Sequence, residues 1–194
     1  MRAKAFAAWC YFNQAGGFRL KILGAIIAGG KSTRFGGDKA AALLNGKALI
    51  DHVIDGLAPQ CDQIVICGRK WLDYDYLLDR PVSDMGPLGG LCAALHFAAD
   101  HGYGEVITAG CDVLPVPILS APAPSVVAGH YLFGRWPVHL AGALDQHLSG
   151  QSNRSMRHWM AAANAQEIAA KLPLHNLNTA SAFAHYASFL KNSV

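Results

Sequence analysis

Apolar and polar positions along the first half of the chain follow two periods, one typical of buried strands and one typical of helices. Short apolar runs with β-branched residues occupy residues 23–28, 63–68 and 105–110, and a glycine closes or directly follows each run. Residues 48–57 and 88–99 instead carry apolar side chains three and four positions apart, which predicts amphipathic helices. Strands that alternate with helices favour an open parallel sheet, so the predicted fold class is α/β.

The second half of the chain predicts a more mixed set of elements. Apolar spacing predicts two further helices, at residues 155–163 and 180–190. Residues 126–132 and 137–140 are predicted to be strands that pair around the segment 134–135, which begins with a glycine. This half therefore adds both helices and paired strands to the sheet.

Three shorter segments and the two termini complete the predicted organisation. Residues 45–47 have the Asn-Gly-Lys composition of a turn, and residues 71–78 predict a short helix packed on the sheet. Residues 80–82 predict a short extended piece. No linker or internal repeat divides the chain, so we expect a single domain over residues 22–194. Residues 1–21 match no motif and are predicted to be a flexible N-terminal extension.

The composition is typical of a folded globular protein, and the charge suits a polyphosphate ligand better than a nucleic acid. Hydrophobic residues make up 52% of the chain and charged residues 15%, which argues against disorder. A formal net charge of +3 suits a polyphosphate, whereas no run of lysine and arginine indicates nucleic acid. No apolar run approaches the roughly 20 residues of a membrane span. We therefore expect neither nucleic acid nor membrane as a partner.

Cysteine and histidine usage gives no sign of a disulfide framework or a metal motif. The five cysteines are odd in number and include no CxxC pair, and the nine histidines show no HExxH spacing. A disulfide scaffold and a zinc site are therefore not expected. Unpaired cysteines of this kind favour a reducing, cytoplasmic location.

The segment with the most chemical content is residues 26–39. There an apolar run stops at Gly29-Gly30 and is followed by Arg34, Gly36-Gly37 and Lys39. Glycine amides can approach and line an anion, and arginine and lysine supply charge for phosphate. The spacing matches neither a Walker loop nor the dinucleotide GxGxxG motif. We interpret the segment as a triphosphate-binding loop, and the alternative is a structural turn, which also needs glycine.

Two acidic residues are further candidates. Asp112 directly follows the predicted strand 105–110 and Cys111, where a carboxylate can hold Mg²⁺ that also binds phosphate oxygens; the alternative is a turn or helix cap. Asp84 precedes a second glycine-rich segment. There it either forms an Asx-turn or caps the next helix, or it accepts hydrogen bonds from a nucleoside. No GxSxG motif is present, and Cys111 has no indicated activating partner, so a nucleophile is not expected.

Taken together, these motifs resemble the molybdenum cofactor guanylyltransferases of the MobA type. The matching segments are AGGKSTRFGGDK at residues 28–39, LNGKALIDHV at 44–53, GPLGG at 86–90, CD at 111–112 and NLNT at 176–179. The resemblance implies a three-layer α/β/α domain with a mostly parallel sheet, of the nucleotide-diphospho-sugar transferase (Rossmann-like) type.

The resemblance also implies a reaction and its participants. GMP would pass from GTP to the terminal phosphate of molybdenum-bearing molybdopterin, which forms molybdopterin guanine dinucleotide and releases pyrophosphate. Mg²⁺ is the implied cofactor. GTP and molybdopterin are the implied substrates, with molybdopterin-loading proteins and a molybdoenzyme chaperone as further partners.

The resemblance assigns roles residue by residue. Arg34, Lys39 and Asp112 are the implied catalytic residues, and Asp112 is also the implied metal ligand. The implied nucleotide-binding residues are Ile27, Ala28, Gly29, Gly30, Lys39, Cys67, Asp84 and Asp112. Asp84 would contact the nucleoside.

The motifs indicate the acceptor residues and the choice of base less closely than they indicate the nucleotide-binding residues. Asn176, Asn178 and Arg154 are the implied acceptor residues. Gly30 resembles the guanylyl members more than the cytidylyl members, whereas Cys67 stands where the family tends to place a polar residue that reads the nucleotide. The alternatives are a molybdopterin cytidylyltransferase, a sugar-phosphate nucleotidyltransferase and, from another class, a non-catalytic nucleotide or cofactor carrier.

Overall fold

Strands and helices alternate along most of the chain and assemble around one central sheet. The computed structural model describes residues 10–12, 18–29, 38–150 and 153–192. The strands are β1 (Cys10–Phe12), β2 (Phe18–Leu20), β3 (Ile22–Ile27), β4 (Leu43–Leu44), β5 (Lys47–Ala48), β6 (Gln63–Cys67), β7 (Asp75–Leu77), β8 (Glu105–Gly110), β9 (Val113–Leu114), β10 (Ser125–Val127), β11 (His130–Pro137), β12 (Gln166–Ile168) and β13 (His175–Asn176). The helices are α1 (Leu49–Leu57), α2 (Pro87–Asp100), α3 (Ala141–Gly150), α4 (Met156–Ala162) and α5 (Ala180–Asn192), with short 3-10 helices at Ala58–Gln60 and Val138–Leu140.

The central sheet has seven strands in the order β12-β10-β11-β8-β3-β6-β7. Strands β8, β3, β6 and β7 run parallel to one another, and β11 is antiparallel to both of its neighbours. Strand β3, which lies between β8 and β6, is apolar along its length because a parallel sheet covered on both faces leaves its interior strands no side open to solvent. The prediction of a mostly parallel α/β sheet is therefore confirmed.

Helices cover both faces of the sheet, which makes the domain three layers deep. Successive residues of β3 point to opposite faces, so Leu23 and Ala25 pack with α2, α3 and α4, whereas Ile26 packs with α1 and α5. The two apolar clusters on either side of the sheet form the core. None of the helices in the described parts of the chain is long and apolar enough to cross a membrane.

The first half of the chain folds close to the prediction. The strands predicted at 23–28, 63–68 and 105–110 and the helices predicted at 48–57 and 88–99 are found with boundaries within a few residues. The predicted turn at 45–47 joins β4 to β5. At this turn Asn45 and Gly46 have φ values of 51° and 82°, which explains the need for asparagine and glycine. The helices predicted at 155–163 and 180–190 are also confirmed, as α4 and α5.

Residues 71–78 do not form the predicted helix. They form a turn and the edge strand β7, which pairs in parallel with β6. Trp71 and Tyr74 pack against one apolar cluster, Leu77 packs against the other, and Leu78 is 69% exposed. The apolar side chains that suggested a helix therefore do not share a buried face. Residues 80–82 also differ from the prediction, because they lie in a series of bends rather than in an extended strand.

The predicted strand pair in the second half has its turn in a different place. The chain turns at Ala128-Gly129, where Gly129 has a φ of 75°, and residues 130–137 then form the single long strand β11. Gly134 lies inside that strand, opposite Thr108. The Trp136 ring packs against it and leaves no room for a side chain at this position. Residues 138–140 form a 3-10 helix, not a strand. A glycine that makes room for a tryptophan was thus misinterpreted as a turn.

The N-terminal strands form a small separate sheet. β1 and β2 pair antiparallel, with Cys10 opposite Leu20. Just after β2, the amide of Gly104 donates a 2.9 Å hydrogen bond to the carbonyl of Lys21. The boundary expected near residue 21 and the flexible character of residues 1–21 remain predictions.

Two glycine backbones touch at the end of strands β3 and β6. Gly68 has a φ of 84°, and a Cβ atom added there would lie 2.4 Å from the Cα of Gly29. The amide of Ala28 donates a 2.9 Å hydrogen bond to the carbonyl of Cys67, which ties the two strand ends together just before the contact. Neither strand end can therefore accept a side chain at this point without moving away from the other.

We expect Gly68→Ala to destabilise the fold by at least about 2 kcal/mol, because alanine is strained at positive φ and its Cβ would collide with the backbone of Gly29. The free energy of unfolding, measured by urea denaturation, tests this. Gly142→Ala is the matched control, since a Cβ at Gly142 meets nothing within 4 Å. It should leave stability unchanged or raise it by up to about 1 kcal/mol. Equal stability of the two variants would contradict the proposed constraint.

Candidate functional site

The carboxyl ends of the parallel strands β3, β6 and β8 lie side by side at one edge of the sheet. Ile27 pairs with Cys67 on one side and with Gly110 on the other. The residues that follow each strand therefore emerge together. Ligands of open α/β sheets bind outside this edge, which makes it the candidate site.

Lys39, Asp112 and Asn178 meet beside this edge. The Lys39 Nζ lies 3.5 Å from the Asp112 Oδ2 and donates a hydrogen bond to the Asn178 Oδ1. Lys39 is only 8% exposed, whereas the Asp112 side chain keeps 31% of its surface open. Burial lowers the pKa of Lys39, and the Asp112 carboxylate acts against this shift. The cluster therefore joins a buried cation to a carboxylate that solvent can still reach.

A short strand pair brings Asn178 to this cluster. β9 follows Asp112 and pairs antiparallel with β13, and Asn176 stands opposite Val113. The amide of Leu177 then donates a 2.7 Å hydrogen bond to the Asp112 carbonyl, and the fully buried Leu177 side chain fixes the segment. Asn178 is thus held by backbone pairing rather than by a flexible loop.

Arg69 is a candidate site residue that the sequence analysis missed. Its guanidinium binds both carboxylate oxygens of Asp38, with an Nη1 to Oδ1 distance of 2.6 Å, and lies over the Trp71 ring. The Trp71 Nε1 in turn donates a 2.7 Å hydrogen bond to Asp51. Because Asp38 directly precedes Lys39, this pair positions the start of the segment that carries the lysine. A cation directly after the strand-ending Gly68 was the available signal.

The ion pair between Asp38 and Arg69 shifts the pKa of both side chains. The hydrogen bond from Arg69 holds the pKa of Asp38 below its ordinary value, although partial burial opposes this. The hydrogen bond to Asp38 raises the pKa of Arg69 in the same way. Both groups are therefore charged at neutral pH.

Asp84 is exposed and stands in a strained turn. Its φ is 60°, and it does not cap α2, because Gly86 is the N-cap residue and no side chain caps this end. The carboxylate that supports the turn is Asp79, whose Oδ2 accepts a hydrogen bond from the amide of Met85 at 3.2 Å. Of the roles considered for Asp84, helix capping is therefore wrong, and nucleoside binding stays a prediction.

The side chains of Ile27 and Cys67 turn away from the open edge. Both face Gly90 of α2, where an added Cβ would lie 3.0 Å from the Cβ of Cys67. Cys67 is 1% exposed, and burial raises the pKa of its thiol to about 12. At Ile27 and Cys67, therefore, only backbone atoms are available to a ligand at the sheet edge, and a thiol contact with a base is not compatible with this packing.

The other predicted site residues are placed as follows. Ala28 and Gly29 follow β3 at the sheet edge, and Gly30 and Arg34 lie outside the described residues. Asn176 is exposed on β13, near Asn178. Arg154 precedes α4, which packs on the opposite face of the sheet from α5, and no described contact joins it to either asparagine.

The model of the MobA-like NTP transferase domain matches residues 24–168, which is most of the chain. This chain belongs to the MobA-like NTP transferase family. The matched range contains Lys39 and Asp112, whereas Asn178 lies beyond its end. The site therefore combines two residues of the family domain with one from the segment that follows it.

Curated relatives and solved structures agree with this assignment. A molybdenum cofactor guanylyltransferase of Rhizobium leguminosarum is 31% identical and the match covers 81% of this chain and 82% of that protein. The protein of the same name from Rhodobacter capsulatus is 33% identical, over 82% of this chain and 92% of that one. A nucleotidyl transferase from Methanothermobacter, 16% identical, superposes with a TM-score of 0.66 over 90% of this chain and 99% of that one. At this identity the superposition supports the fold of the family domain alone.

The burial of Cys67 and Cys111 predicts thiols that react slowly in the folded protein. Burial raises the pKa of each to about 12, so at pH 8 only about one thiol in 10⁴ would be ionised. We expect brief treatment with iodoacetamide at pH 8 to leave both unlabelled, as read by peptide mass spectrometry. The same treatment in denaturant should label both. Rapid labelling of Cys111 in the folded protein would contradict this packing and reopen a nucleophilic role.

Proposed function

We propose that this chain transfers GMP from GTP to molybdenum-bearing molybdopterin and releases pyrophosphate. The observation that carries the proposal is the cluster of Lys39, Asp112 and Asn178 beside the ligand-binding edge of a MobA-like sheet. The names of the curated relatives support the same acceptor and nucleotide. The product of this reaction is molybdopterin guanine dinucleotide.

The proposed chemistry is displacement at phosphorus. An oxygen of the terminal molybdopterin phosphate attacks the α-phosphorus of GTP, and the bond to the bridging oxygen of the β-phosphate breaks as pyrophosphate leaves. The attacking phosphate is already ionised, so no general base is needed. The protein contributes position and charge, which are the main requirements of phosphoryl-type transfer.

Lys39 is proposed to neutralise the phosphates during this transfer. Asp112 and Asn178 fix its ammonium group, so the charge does not have to reorient as the reaction proceeds. Arg34 is proposed to act with it on the phosphates. Asp38 and Arg69 position the lysine from the opposite side and do not need to touch the substrate.

The Asp112 carboxylate fits the requirements of a Mg²⁺ ligand. It is the carboxylate beside the strand ends, it is partly open to solvent, and Mg²⁺ needs only one or two carboxylates in addition to phosphate oxygens and water. When bound, Mg²⁺ would neutralise charge on the phosphates.

The remaining predicted residues are proposed to bind the two substrates. The backbone at Ala28 and Gly29, with Gly30, would contact GTP, and Asp84 would contact its nucleoside. Asn176 and Asn178 would face the acceptor, with Arg154 as a more distant candidate. We place the reaction in the cytoplasm, where molybdopterin-loading proteins and a molybdoenzyme chaperone would supply and accept the cofactor. Free thiols at Cys61, Cys67, Cys92 and Cys111 support a reducing location.

The decisive experiment follows pyrophosphate release by the purified chain with molybdopterin, Mg²⁺ and each nucleoside triphosphate in turn. We expect release with GTP, together with molybdopterin guanine dinucleotide as product. Preference for CTP would overturn the guanylyl assignment. Activity with a sugar phosphate instead of molybdopterin would overturn the acceptor. Nucleotide binding without release would favour a carrier.

Removal of either central charge should slow transfer strongly, and circular dichroism identifies any variant that fails to fold. We expect Asp112→Asn and Lys39→Met each to lower kcat/KM for GTP by at least about 100-fold, because each removes charge stabilisation of the transition state. Glu167→Gln on the exposed strand β12 makes the same chemical change as Asp112→Asn and should alter kcat/KM by less than about twofold. Full activity of Asp112→Asn would remove this residue from the mechanism.

A further inference from the structure

Three side chains with metal-ligand chemistry meet on the opposite helical layer from Lys39. Cys92 and His96 belong to α2, and Asp145 belongs to α3. The Cys92 Sγ lies 3.1 Å from the Asp145 Oδ1, and the His96 Nε2 lies 2.5 Å from the Asp145 Oδ2. The three ligand atoms all lie within 4.8 Å of one another. The proposed transfer reaction uses none of these groups.

Helix geometry explains why these side chains meet. Cys92 and His96 are four residues apart, which places them one above the other on the same face of α2. α3 packs against this face and supplies Asp145 from 49 residues further along the chain. The spacing differs from both CxxC and HExxH, so no short sequence motif indicates this cluster.

One carboxylate draws the other two side chains together. The Cys92 thiol donates to the Asp145 Oδ1, and the His96 Nε2 lies in ion-pair range of the Asp145 Oδ2, although the geometry is not that of a regular hydrogen bond. Asp145 therefore holds a thiol and an imidazole nitrogen within reach of one another.

We propose that Cys92, His96 and Asp145 bind a divalent transition-metal ion of the zinc type. Thiolate, imidazole and carboxylate are the ligands that Zn²⁺ accepts, whereas Mg²⁺ prefers oxygen ligands alone. Three protein ligands leave one tetrahedral position for water. His96 also lines a groove of about 340 Å³ beside Tyr76 and Phe97, so one of the three ligands borders an open cavity.

Binding requires only small movements and one proton release. With metal bonds of about 2 Å, the His96 nitrogen and the Asp145 oxygen must separate from 2.5 Å to about 3.4 Å. Both side chains are about one quarter exposed and can make this shift. The Cys92 thiol loses its proton to solvent as the metal–sulfur bond forms. The Arg80 guanidinium, 3.6 Å from Asp145, is half exposed and can turn away from the ion.

The bound ion would join α2 to α3 and stabilise the folded chain. A ligand that binds the folded state raises the free energy of unfolding with the logarithm of its concentration relative to its Kd, and the melting temperature rises accordingly. This effect does not depend on GTP or molybdopterin. The site can therefore be tested whether or not the proposed transfer reaction is correct.

The test titrates the full-length, reduced, metal-free chain, without an affinity tag, with Co²⁺ and then with Zn²⁺. We expect one Co²⁺ per chain, with a thiolate-to-cobalt band in the near ultraviolet and the intense visible bands of a tetrahedral ion. Zn²⁺ should displace the cobalt and raise the Tm. Absence of the thiolate band in the wild-type chain would overturn the proposal.

Variants assign the bands to these residues. His96→Gln and Asp145→Asn, both at partly exposed positions, should weaken Co²⁺ binding by at least about 100-fold. Cys92→Ser should remove the thiolate band, and the other two variants decide the outcome if this buried change prevents folding. His101→Gln and Cys61→Ser are matched controls that should bind as the wild type does. Unchanged binding by His96→Gln and Asp145→Asn would place the ion elsewhere and overturn the assignment.

Discussion

Lys39 carries a positive charge at a position where the residue is only 8% exposed, and a charge so placed must be compensated because its desolvation costs several kcal/mol. Asp112 and Asn178 provide that compensation. The three residues come from a loop after β3, from the end of β8 and from the segment after β13. Loss of any one of them would leave the other two incompletely paired. The geometry of the site thus depends on one ammonium group that connects three distant parts of the chain.

Much of the fold could be predicted because strands and helices in the first half repeat with clear periods. Patterns failed where a residue type fits more than one structure. The apolar side chains of residues 71–78 suggested a helix, but they pack on both sides of the sheet around the edge strand β7. Gly134 suggested a turn, but it makes room for Trp136 inside β11. In both cases a tertiary contact, which no local period encodes, decided the structure.

Prediction of the candidate site was similarly uneven. Lys39 and Asp112 could be singled out because each stands next to a glycine-rich or apolar strand end. Their partner Asn178 could be named only through family resemblance, since its position depends on the pairing of β9 with β13. Arg69 was missed because its role requires contact with Asp38, 31 residues earlier. Sequence therefore indicates which groups carry charge better than it indicates which groups hold them in place.

The position of Asn178 after the family domain has a consequence for how the protein is made. During translation the family domain, residues 24–168, leaves the ribosome before the segment that carries β13 and Asn178. Until that segment arrives, β9 has no pairing strand and Lys39 lacks its amide partner. The nascent chain can thus form most of its sheet while its ammonium group is still incompletely held. Full assembly of the site therefore requires translation to proceed beyond the family domain, past Asn178.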